Sequence, residues 1–88
     1  MAEGPQPLQF PCSYPLKVMG KNTSQFHALV SGIIERHVPE KEGVTYRTKS
    51  SSGGTYISIT ATFSAQSQEQ LTAIYQDLNR QELVLMVL

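Results

Sequence analysis

Cysteine occurs once in this 88-residue chain, acidic and basic residues cancel at 7 each for a formal net charge of +0, and no long apolar run is present. The lone thiol, Cys12, closes no intramolecular disulfide and supplies no thiolate set for zinc or an iron–sulfur cluster, which suits a reducing cytoplasm. Balanced charge sets up no global field to gather phosphate backbones or anionic lipid, which counts against a general nucleic-acid binder. No segment approaches the ~20 apolar residues of a membrane span, and the start lacks the basic-then-apolar order of a signal peptide. A cytoplasmic protein without membrane contact is therefore expected. The length suits one domain that buries about 60 to 65% of its unfolded surface, which argues against a large two-lobed active site.

What is present is a series of periodic segments behind a proline-rich start. Met1 to Pro11 holds Gly4, Pro5, Pro7 and Pro11 among polar neighbours and reads as a mobile tail, with a single domain over residues 12–88. Leu16 to Met19 alternates and stops at Gly20, a first strand with Leu16 and Val18 inward and Pro15 at its edge. Phe26, Leu29, Val30, Ile33 and Ile34 fall on one helical face behind the cap candidates Asn22, Thr23 and Ser24, and the helix should end near His37, before Pro39. Val44 to Lys49 and Tyr56 to Phe63 alternate on either side of a Ser/Gly turn and read as a hairpin, with Ile57, Ile59, Ala61 and Phe63 on the buried face. Ser67 with Gln70 is a capping-box signature, and Leu71, Ile74, Tyr75 and Leu78 give a second helix its apolar stripe.

The chain closes on the apolar run Leu83 to Leu88, a last strand. The order βαββαβ predicts an α+β, ferredoxin-like sandwich: a four-stranded antiparallel sheet with two helices on one face and the first and third strands central. The other sheet face stays open. Whichever of the sets Leu83, Leu85, Val87 or Val84, Met86, Leu88 turns inward, the other remains an exposed apolar stripe, and such stripes usually have partners.

Residues with chemical potential read mostly as structural. Lys21, Asn22, Thr23 and Ser24 follow Gly20 into a helix start, where free N–H groups attract small anions, but every capped strand-to-helix junction carries these donors. That loop lacks the CxxC of a copper chaperone and the phosphate-holding arginine of an acylphosphatase. The outward positions of the central strands offer Lys17, Met19, Ser58, Thr60 and Thr62 with only Tyr56 as an aromatic, which counts against base stacking on RNA. His27 and His37 lack ligand-spaced partners on their own elements, and His37 better serves a helix C-terminus. No base lies near Cys12 in sequence, Glu35, Glu40 and Glu42 read as a solvated surface, and Ser50 to Gly54 reads as a hairpin tip.

Lys17-Val18-Met19-Gly20, Arg36-His37 before Pro39, Ser51-Ser52 with Gly54 and Tyr56, Tyr75 with Leu78, and the closing Met86-Val87-Leu88 together resemble the YbeD-like group of small uncharacterised bacterial proteins. The resemblance covers nearly everything after the tail, and the terminal Met-Val-Leu is its most specific part. It implies the architecture of ACT-type regulatory domains, which share the βαββαβ order and commonly associate in pairs. In those domains a glycine in the first βα loop admits an amino-acid effector to the backbone at a subunit interface, and Gly20 stands in the matching place. Lys21 and Asn22 replace the acidic residue often found beside it, which implies either an anion or carboxylate as effector or a lost site. A link of the group to lipoate metabolism has been suggested, and nothing in these residues speaks to it.

The first functional expectation is a non-enzymatic regulatory or adaptor module that self-associates or docks on a partner protein through the open face and Leu83, Leu85 and Val87. The second is a sensor of an amino acid or other carboxylate at Gly20, Lys21 and Asn22, and the last is a small hydrolase using His37 or Cys12. No metal or cofactor is expected.

Overall fold

Alternation and helical periodicity resolve into six elements in the computed structural model, which describes residues 9–39 and 43–88. They are β1 (Cys12–Lys21), α1 (Ser24–His37), β2 (Thr45–Ser50), β3 (Tyr56–Ala65), α2 (Gln68–Asn79) and β4 (Val84–Val87). The strands pair antiparallel in the order β2-β3-β1-β4, so β1 and β3 are central and both helices cover one face. This is the expected ferredoxin-like sandwich.

The helix starts follow from side chains that satisfy otherwise free N–H groups. Thr23 Oγ1 accepts from the Phe26 N–H at 3.1 Å, and Ser67 Oγ accepts from the Gln70 N–H at 3.1 Å. Gln70 reaches back to accept from the Gln66 N–H at 2.7 Å, one residue earlier than a standard capping box. Its amide also donates to the His37 carbonyl at 2.9 Å, which ties the start of α2 to the end of α1.

The core is one cluster between the sheet and the helices. Leu16 and Val18 from β1, Ile59, Ala61 and Phe63 from β3, Phe26, Val30, Ile33 and Ile34 from α1, and Leu71, Ile74 and Leu78 from α2 are all buried. Removing this much apolar surface from water, at ~25 cal/mol per Å², is what holds so short a chain together. Every position of β2 is exposed, because β2 is an edge strand that the helices leave uncovered.

Several strand ends shift by a residue or two from the reading of the sequence, and three larger differences stand beside them. β1 begins at Cys12 rather than Leu16 and runs through Pro15, which pairs with Thr62. Lys17 exchanges backbone hydrogen bonds with Leu88 at 3.1 and 2.8 Å, so the odd-numbered residues of β1 direct their backbone groups toward β4. Pro15 faces the same way at a point where β4 has no residue opposite it, so its missing N–H breaks no rung of the sheet. Of the segment read as tail, residues 1–8 lie outside the described residues, while Phe10 packs against the core.

The third difference concerns β4. Val18 pairs with Val87 and Met19 with Met86, but Gly20 pairs with Val84, which leaves Leu85 as the extra residue of a bulge. The bulge breaks strict alternation, so neither expected stripe exists as a set. Val84 and Val87 both turn toward the helices and pack on the core, whereas Leu85, Met86 and Leu88 are 62%, 50% and 58% exposed.

Candidate functional site

The pairing registers fix which side chains share the open face. Arg47, Thr60 and Lys17 lie side by side on β2, β3 and β1; Lys49, Ser58, Met19 and Met86 form the next row; and Tyr56 lies beside Lys21 in the third. Leu88 extends the first row through its pairing with Lys17. No described strand contains an aspartate or glutamate, so this face carries Lys17, Lys21, Arg47 and Lys49 without an acidic residue among them. All four are exposed, and they are more than half of the 7 basic residues in the chain. The formal charge of +0 thus conceals a segregated distribution, a local field that no net-charge argument detects.

The face is not flat. Ser58, Thr60 and Thr62 are small and half-buried along β3, between longer side chains on β2 and β1. At one end Met19, Lys49, Ser51, Tyr56 and Ser58 line a largely apolar hollow of about 220 Å³. That is below the ~300–1,000 Å³ of small-molecule pockets, and suits one inserted side chain better than a whole metabolite.

The residues expected to form the partner stripe are split. Leu85 is exposed, Leu83 is 40% exposed just before β4, and Val87 packs on the core as a consequence of the bulge. Met86 and Leu88 join Leu85 on the exposed side instead.

Each residue of the first βα loop is engaged differently. Gly20 is buried, and a Cβ there would lie 2.5 Å from Phe26 Cε1 and 2.7 Å from the Leu83 carbonyl oxygen. The glycine therefore serves close packing of β1 on α1 and β4, and the space an effector would need against that side of its backbone is filled. Asn22 donates its backbone N–H to the Thr55 carbonyl at 2.9 Å, its side-chain Nδ2 donates to the Gly54 carbonyl at 3.4 Å, and its Oδ1 lies 3.0 Å from His27 Nε2. Lys21 is exposed on the open face.

A cluster that the sequence reading missed lies between the helix ends. Asp77 is buried, with its Oδ2 3.0 Å from His37 Nε2 and accepting from Arg36 Nη1 at 3.2 Å. Gln81 Nε2 donates to the Asp77 backbone carbonyl at 3.3 Å. The His37 hydrogen bond, aided by the charge of Arg36 and opposed by burial, holds the Asp77 carboxyl below its ordinary value of 3.8. Gln70, Ile74 and Asp77 share one face of α2, and polar residues at that spacing beside an apolar stripe were the available signal. Cys12, half-buried at the start of β1, has no hydrogen bond to a base among the described residues. Nor do the described residues hold a cluster of three or more His, Cys, Asp or Glu placed for a metal ion.

Residues 5–88 match the family described as "Protein of unknown function (DUF493)". A UPF0250 protein of Nitrosomonas europaea is 36% identical over 92% of this chain and 93% of its own length. UPF0250 proteins of Chromobacterium violaceum and Neisseria gonorrhoeae are 35% and 38% identical, covering 91% and 92% of this chain and 90% and 89% of theirs. Among solved structures, the solution structure of protein HP0495 from H. pylori superposes with a TM-score of 0.67 over 100% of this chain and 98% of that one, at 13% identity. That likeness supports the fold and no more.

Proposed function

Since the chain belongs to the DUF493 family of UPF0250 proteins, the YbeD-like group that its sequence resembles, we propose that it is a non-enzymatic adaptor or regulatory module that binds a protein partner in the cytoplasm. The observation that carries this reading is the open sheet face. It combines exposed Leu85, Met86, Leu88 and Tyr56 with basic residues, while both described helices pack on the opposite side. A two-layer domain with an uncovered, partly apolar sheet face gains stability when a third layer covers it.

Other readings find less support. The hollow on the open face is small for a metabolite, and Gly20 is occupied by Phe26 and Leu83, which weakens an effector site there. His37 is committed to Asp77, and Cys12 has no hydrogen-bonded base among the described residues, so neither favours a hydrolase. No helix among the described residues is long and apolar enough to cross a membrane.

The test is retention of a native partner on the immobilised full chain, compared with a Leu85→Asp variant that keeps the wild-type circular dichroism. An aspartate inside an apolar contact leaves an uncompensated charge there. Loss of the retained protein with the variant supports docking through β4. Equal retention by both proteins contradicts it.

A further inference from the structure

Resting on the docking reading above, we infer that the open face takes an acidic helix of a partner protein, laid along β3 between two basic banks. Arg47 and Lys49 form the bank on β2, and Lys17 and Lys21 form the bank on β1. The floor is half-buried Ser58, Thr60 and Thr62. Neighbouring strands lie ~4.8 Å apart, which places the banks about 10 Å from each other across β3. A helix with its side chains is ~10–12 Å across, and sheet faces in two-layer folds are ordinarily closed by helices.

The spacing along each bank agrees with this occupant. Arg47 and Lys49 are two residues apart on one strand, ~7 Å, which is close to the ~6 Å between helix positions four residues apart. Lys17 and Lys21 are four residues apart, ~13 Å, near the rise of two helical turns at ~11 Å. Glutamates on both flanks of a helix would meet both banks, while an apolar side chain at its end would enter the hollow beside Met19 and Tyr56. The absence of any described acidic residue on the strands means that nothing within the sheet neutralises these cations. An RNA strand is the less favoured occupant, because Tyr56 is the one aromatic on the described open face and offers no stacking series.

The test uses the full isotope-labelled chain and three probes at low ionic strength. One is a helical peptide of about 18 residues with glutamates flanking an Ala/Leu ridge; the second has lysines in place of the glutamates; the third is an oligouridylate. The inference expects the glutamate peptide to shift the amides of Met19, Ser58 and Thr60. Its affinity should fall on the order of tenfold at ~0.15 M salt, and again by about tenfold or more in an Arg47→Glu, Lys49→Glu double variant that keeps the wild-type spectrum. The lysine peptide should not bind. Absence of shifts with the glutamate peptide, equal binding by the double variant, or tighter binding of oligouridylate to the same residues overturns the inference. The docking reading is separable from it: a native partner lost by Leu85→Asp but retained by the double variant leaves docking in place and removes the acidic helix.

Discussion

Replacing Gly20 with alanine asks whether this glycine exists for packing or for a ligand. The added Cβ would stand 2.5 and 2.8 Å from Phe26 Cε1 and Cδ1 and 2.7 Å from the Leu83 carbonyl oxygen. Phe26 is fully buried, and Leu83 leads into β4, so neither can move aside without disturbing the core or the β1–β4 pairing. Overpacking of this kind costs about 1–3 kcal/mol. In a domain of this size each kcal/mol lowers the melting temperature by roughly 4–8 °C, so a loss between about 4 and 24 °C is expected. Gly32 is the internal control: it sits exposed in α1, a Cβ there meets nothing within 4 Å, and Gly32→Ala should stabilise by about 0.4–1 kcal/mol. Thermal unfolding of both variants, followed by far-ultraviolet circular dichroism, provides the comparison. Gly20→Ala melting with or above the wild type would refute the packing argument and return the first βα loop to consideration as an effector site.

The clasp between the helix ends makes a second prediction. Asp77→Asn should cost about 1–3 kcal/mol by leaving Arg36 and His37 without their acceptor charge. Because the folded carboxyl ionises below its ordinary 3.8, its contribution is complete above that pH and fades as the pH falls through the lowered value, so Asp77→Asn should also flatten the acid limb of stability measured by urea unfolding. Burial first, and then the 2.8 Å hydrogen bond with Tyr14, push the Tyr75 hydroxyl up to about 12. Spectrophotometric titration should show a late-ionising tyrosine, and Tyr14→Phe should move it part of the way back toward 10.0 while burial keeps it raised. Removing the α1 cap with Thr23→Ala should cost about 1 kcal/mol in chemical unfolding.

Much of this architecture is legible in the sequence because local periodicity carries it. The alternation of Ile57, Ile59, Ala61 and Phe63, the helical stripes, and the caps at Thr23 and Ser67 each require only a few neighbouring residues to be read. The bulge at Leu85 is different. A continuous apolar run holds no alternation from which to read register, so the orientation of β4 depends on pairing with β1, and Val87 passes from the expected interface to the core. Pro15 concealed the first half of β1 because its fitness for a central strand depends on how far β4 reaches. The basic face escaped notice for a related reason: Lys17 and Lys21 meet Arg47 and Lys49 only across β3, whereas a net charge of +0 averages over the whole chain. Asp77 likewise acquires its partners from a helix that is 40 residues away in sequence.

The most direct test of the open face as a docking surface is site-specific photocrosslinking in the native cell, with the crosslinker placed either at Met86 on the exposed side of β4 or at Gln76 on the exposed side of α2. The account predicts a discrete crosslinked protein from Met86 and none from Gln76. A partner captured from Gln76 alone would place the interface on the helical layer and contradict it.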